Sequence, residues 1–226
     1  VKCDLTSAIA AIPPGRPLVI TDADGVLLQF TGCFERWLAE RGLYLDLTAY
    51  QIEGGIRRQD DNTRLLDVEC IALVDEYRAD LDDLDPVDGA CEALAELSQV
   101  ASVVVLSNVN ATQAKARLRN FARLGLAYPL IANDCGAGYL ADKGAAVRAL
   151  AAHARAKTFF IDDIPSNLAD VAKAAPNVTL VHVVESEPLR VLLGSAFHAH
   201  CYAKDWREVQ SFILERLNTC HPRPSA

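Results

Sequence analysis

Leu18-Val-Ile-Thr-Asp-Ala-Asp-Gly-Val26 is the stretch on which the fold turns. Leu18, Val19 and Ile20 form a short apolar run after Pro17, as expected of a central parallel strand buried on both faces. Asp22 and Asp24 leave that strand at its carboxyl end, and Gly25 supplies a residue that turns sharply at positive φ without steric cost. Acids placed at the mouth of an apolar strand are costly unless a cation or a metal receives them.

Working outward, apolar bursts alternate with helical patterns. Strands are expected at Leu18–Thr21, Ser102–Leu106, Leu130–Ala132, Thr158–Ile161 and Val178–Val184, with a short one near Ala199–Tyr202. Helices are expected at Gly89–Leu97, Ala111–Arg123, Gly144–Ala154, Asn167–Ala174 and Trp206–Leu217. Such alternation predicts an α/β fold: a three-layer, Rossmann-like core with a parallel sheet between helices. The rhythm breaks between about Thr31 and Asp85. There Phe34, Trp37 and Leu38 share one helical face, as do Leu66, Cys70, Leu73, Val74 and Tyr77. The reading is an all-helical insertion at 31–86, with residues 1–30 and 87–226 forming the core.

Ligands of open α/β sheets bind at the carboxyl ends of strands. Asp22 and Asp24 are delivered there by the first strand, and Ser107 and Asn108 by the second. Lys143 opens a later helix, while Asp162, Asp163 and Asn167 follow the fourth strand. Two unit charges ~4 Å apart interact by roughly 4 kcal/mol at an effective dielectric of 20, so four crowded carboxylates call for a cation. Oxygen ligands without His or Cys suit Mg²⁺ and disfavour Zn²⁺.

In this order the residues resemble the four motifs of the haloacid dehalogenase superfamily. Asp22-Ala-Asp-Gly-Val26 is similar to its first motif, Ser107 to its second, Lys143 to its third and Asp162-Asp-Ile-Pro-Ser-Asn167 to its fourth. The likeness spans about Leu18 to Asn167 and places the insertion where that family carries a small helical cap. It implies a Mg²⁺-dependent phosphatase of small phosphorylated metabolites: Asp22 as nucleophile, Asp24 as acid and base, Ser107, Asn108 and Lys143 as phosphate ligands. Mg²⁺ is then expected on Asp22, the Asp24 carbonyl and Asp163, with Asp162 assisting and Asn167 orienting the fourth-motif loop or Lys143. An acid at Asp24 implies the phosphatase branch, because dehalogenases and phosphonatases lack one there. Two departures stand out: Val26 replaces a frequent threonine, and Gly144 follows Lys143 where proline is frequent. A phosphomutase, or a non-catalytic scaffold that binds a partner protein, are the competing readings.

Other features read plainly. Arg57 and Arg58 are candidates for a second anionic group on the substrate, with specificity expected within Tyr50–Asn62. His198-Ala-His200-Cys201 fits alternation on an edge strand better than a metal site, and Asp80–Asp85 lacks the glycine and terminal glutamate of a calcium loop. A net charge of −8 argues against nucleic-acid or acidic-membrane partners. Seven scattered cysteines with no Cys-x-x-Cys pair read as reduced thiols. With no charged-then-apolar leader and no long apolar run, the expected location is cytoplasmic. Oligomeric state is left open.

Overall fold

The structure, a computed structural model, describes residues 2–47, 55–79, 81–133 and 141–219. Seven strands form one sheet: β1 (Lys2–Cys3), β2 (Leu18–Thr21), β5 (Ser102–Ser107), β6 (Leu130–Ala132), β7 (Thr158–Asp162), β8 (Thr179–Val183) and β9 (Cys201–Ala203). Their spatial order is β1-β6-β5-β2-β7-β8-β9, and every pairing is parallel. The predicted strand of the opening motif is thus central, with Ile20 beside both Val104 and Phe160.

Successive strand residues point to opposite faces, and this period sorts the core into two layers. Leu18, Ile20, Val104, Leu106, Phe160 and Leu180 pack with helices α1 (Leu5–Ala11), α6 (Gly144–Ala154) and α7 (Pro165–Ala174). Val19, Val103, Val105, Phe159, Ile161 and Val181 face the other way, against α4 (Ala90–Val100), α5 (Ala111–Arg123) and α9 (Trp206–Asn218). The three-layer α/β reading therefore holds. The elements β1, α1 and α8 (Glu187–Leu193) were not anticipated, since each is too short to display a period.

Between β2 and α4 lie α2 (Phe30–Ala39), β3 (Leu43–Leu45), β4 (Ile56–Arg58) and α3 (Asp67–Ala79). The helices match expectation; the all-helical description does not. β3 and β4 form an antiparallel ladder that pairs Leu43 with Arg58 and Leu45 with Ile56. Three residues per strand give too few alternations for a period-2 signal, yet Leu43, Leu45 and Ile56 are buried on its inner face. Phe30, Phe34, Trp37 and Tyr77 form an aromatic cluster between α2 and α3, with Phe34 and Tyr77 centroids 4.8 Å apart. Leu66 departs from the predicted apolar face: it precedes α3 and is 67% exposed.

The outgoing and returning linkers of this insertion cross side by side. Gln29 N–H donates to the Asp85 carbonyl (2.9 Å) and Val87 N–H to the Leu27 carbonyl (2.8 Å). Rather than a freely solvated run, the acidic segment before Pro86 buries Leu81 and Leu84, while Asp82 and Asp85 pair with Arg119 and Arg36.

Candidate active site

Asp22 continues the ladder of β2, its N–H donating to the Ile161 carbonyl. Its side chain is nearly buried, and Oδ1 accepts from its own neighbour Ala23 N–H (2.7 Å). Gly25 stands at φ +77°, as the turn required, and a Cβ there would lie 2.4 Å from Asp163 Oδ2. The glycine therefore serves two needs: the left-handed turn and the close approach of the fourth-motif loop.

Lys143 is fully buried at the start of α6. Its Nζ lies 2.9 Å from Asp22 Oδ1 and 2.8 Å from Asp162 Oδ2. Burial opposes its charge, but the two carboxylates outweigh burial and hold the ammonium form well above the usual lysine range. A solvated helix residue is excluded. The missing Lys-Pro pair also has a physical cause. At Gly144 a Cβ would meet the Asp170 carbonyl and the Ala174 Cβ at 2.8 Å each, because α6 and α7 pack in contact. Proline carries that Cβ and does not fit.

The two neighbouring acids of the fourth motif differ. Asp162 is fully buried and saturated: Oδ2 accepts from Lys143, and Oδ1 from Ile164 N–H and Asn167 Nδ2, both at 2.9 Å. Asn167 thus orients the loop and, through Asp162, the lysine. Among the described residues Asp163 has no such partners, and its Oδ1 is buried and unsatisfied. Burial, followed by repulsion from Asp162 and Asp22, pushes its carboxyl well above the ordinary range. Burial first, then repulsion from Asp162 and Asp24, lifts Asp22 to about 7 against the pull of Lys143.

One carboxylate oxygen from each of Asp22, Asp162 and Asp163 falls within 4.8 Å of the others, forming an acidic triad. Three acids against one lysine leave negative charge in excess. An orphaned buried oxygen on Asp163 and an all-oxygen donor set fit a hard divalent cation. His198 and His200 form no such group among the described residues; His200 Nδ1 accepts from Leu180 N–H instead.

Ser107 ends β5 and is buried. It is not a helix cap, since Asn110 caps α5 in a reciprocal box with Gln113. The Asn108 carboxamide joins two loops, donating to the Ala141 carbonyl (2.7 Å) and accepting from Asn133 Nδ2 (2.8 Å). In the insertion, Arg57 pairs with Asp46 (2.7 Å), and Arg58 lines a shallow cleft of about 400 Å³ with Arg41, Gly42, Gln59 and Asp60. Residues 50–54 of the expected specificity segment Tyr50–Asn62 lie outside the described residues.

Three side chains escaped sequence reading. His182, buried on β8, accepts from Ala196 N–H at Nδ1, so its Nε2–H donates to the Asp163 carbonyl (2.9 Å). Burial lowers its pKa and keeps it neutral in that role. Glu185 accepts from Thr31 N–H (2.5 Å) at the start of α2, and burial pushes its carboxyl up to about 7. Arg117 of α5, fully buried, places Nη2 2.6 Å from Asp24 Oδ1.

The fold that carries these residues is shared with known structures. A haloacid dehalogenase family hydrolase from Deinococcus radiodurans R1, with bound phosphate and sodium, is 19% identical, with a TM-score of 0.59 over 90% of this chain and 97% of that one. The fold is that of the haloacid dehalogenase-like hydrolases. A conserved haloacid dehalogenase-like protein from Agrobacterium tumefaciens (18% identity, TM-score 0.59, 90% and 100% covered) superposes as well. So does a putative beta-phosphoglucomutase from Thermotoga maritima (17%, TM-score 0.57, 88% and 99%). No protein-family model and no curated protein matches the chain. Among the described residues no helix is long and apolar enough to cross a membrane.

Proposed function

We propose that this haloacid dehalogenase-like chain is a Mg²⁺-dependent phosphatase acting on small phosphorylated metabolites through an aspartyl-phosphate. The observation that carries the reading is the array in which Lys143 bridges Asp22 and Asp162 while Asp163 keeps an unsatisfied oxygen beside them. Asp22, the Asp24 carbonyl and Asp163 would hold Mg²⁺, which would supply the positive charge that both the acids and a phosphoryl group lack.

The chain's own residues do the rest. Lys143 and Ala23 N–H fix Oδ1 of Asp22, setting the plane from which the carboxylate attacks phosphorus. As the P–O bond to the leaving group breaks, Asp24 gives its proton to that oxygen. Asp24 then takes a proton from water, which attacks phosphorus and frees Asp22 and phosphate. Ser107 and Lys143 hold phosphoryl oxygens, the latter balancing charge as it spreads over them. Asp162, Asn167 and His182 keep the metal-binding loop in place. The insertion of residues 31–86 acts as the cap that admits substrate and excludes water, with Arg57 and Arg58 as candidates for reading the substrate.

Mg²⁺-dependent release of phosphate from p-nitrophenyl phosphate tests this, with full activity in Asp22→Asn as the result that removes the covalent mechanism. A phosphomutase is the second reading, favoured by the superposition on the Thermotoga protein. Isomer interconversion without free phosphate would establish it instead. Turnover of no ester in a broad panel, despite Mg²⁺ binding, would point to a partner-binding scaffold.

A further inference from the structure

We propose that Arg117 is a positioning residue that ties Asp24 to the linker returning from the insertion. This assignment rests on the reading of Asp24 as proton donor and acceptor. Arg117 falls on the inward face of α5, between Ala114 and Phe121, where an apolar residue is the ordinary choice. It is 0% exposed, and a buried guanidinium is costly unless paired. Its two arms reach different parts of the molecule. Nη1 donates to the Leu81 carbonyl (2.5 Å), and Nη2 meets Asp24 Oδ1 at 2.6 Å.

The linker at that carbonyl is held along its length by the same helix. Asn120 Nδ2 and Arg123 Nη2 donate to the Leu84 carbonyl (2.9 and 2.6 Å), and Arg119 pairs with Asp82 (2.7 Å). These contacts hold the linker; Arg117 also joins it to the candidate acid. The Arg117–Asp24 contact is an ion pair without an aligned hydrogen bond, so Asp24 Oδ1 keeps acceptor capacity. When Asp24 gives its proton to the leaving oxygen, the O–H bonding pair stays on a carboxylate that already faces the guanidinium. A planar fork spans both acceptors, which a lysine ammonium cannot do in the same way.

The test compares two esters of similar shape, phenyl phosphate and p-nitrophenyl phosphate, with the full chain and Mg²⁺. Nitrophenolate leaves without protonation, whereas phenolate gains from an acid. Arg117→Met should lower kcat/KM, which reports the step that expels the leaving group, about tenfold more on phenyl phosphate than on p-nitrophenyl phosphate. Arg117→Lys, which keeps the charge but only one arm, should recover part of that ratio. It also serves if the methionine variant does not fold, a bias of about threefold being expected of it. Equal losses on both esters, or no loss, would overturn the assignment, because a purely structural role cannot sense the leaving group. Asp24→Asn separates the two levels: its kcat/KM, which reports phosphorylation even when the phosphoenzyme then accumulates, must show the same bias. Bias there but not in the Arg117 variants removes Arg117 alone, and its absence in Asp24→Asn removes the acid–base reading beneath it.

Discussion

The two ends of the opening motif sit in differently built surroundings. Asp22 belongs to a closed lattice in which Lys143, Asp162 and Asn167 satisfy one another inside the sheet edge. Asp24, two residues on, faces the crossing of the linkers, where its partner Arg117 also holds the Leu81 carbonyl. In the first region Lys143, Asp22 and Asp162 have fixed partners and only Asp163 is left open for a cation; the second joins the candidate site to the insertion. The proposed covalent chemistry would use the former, and admission of substrate the latter.

The comparison is broken most forcefully at Asp22. Asn there removes the carboxylate proposed to attack phosphorus, and kcat on p-nitrophenyl phosphate should fall by about 10³-fold or more while the fold persists. Lys143→Met comes next. It leaves Asp22 and Asp162 buried without their shared cation, and the metal-free protein should lose about 3–5 kcal/mol in denaturant titrations. Added Mg²⁺ should restore part of that stability, since the ion offsets the same excess charge.

On the linker side, Glu185 gives a pH signature. Its carboxyl is pushed up to about 7 from 4.5, chiefly by burial, so between those values the folded chain holds a proton that the unfolded chain releases. Its contribution is complete below about pH 4.5 and is lost as pH rises through 7. In metal-free protein, Glu185→Gln should remove on the order of 2–3 kcal/mol of that decline, measured by urea unfolding across the range. A smaller effect is expected at Gly144→Ala. The added Cβ presses on the Asp170 carbonyl and Ala174, and should cost about 1–2 kcal/mol.

The same contrast explains what could be read from residues alone. The lattice was legible because it is built from strand ends: an apolar run announces each strand, and the next residues are its chemistry. Lys143 could be placed although its flanking proline is absent, since its order among the motifs is kept. The linker side was opaque for the opposite reason. Arg117 looks like one basic residue among several in Lys115–Arg123, and its partner at Leu81 lies 36 residues away. Glu185, in Val-Val-Glu-Ser-Glu-Pro, reads as a loop acid, while its contact to Thr31 spans 154 residues. Such pairings depend on how the insertion folds back. That is also why the β3–β4 ladder, with three residues per strand, gave no period to detect.

The proposed covalent step is tested most directly in Asp24→Asn, which should still be phosphorylated by p-nitrophenyl phosphate but would lack the proposed base for water. Acid quench with Mg²⁺ present, followed by peptide mass spectrometry, should find a phosphoryl group on the peptide that carries Asp22. Release of nitrophenol with Asp22 unmodified would contradict the mechanism.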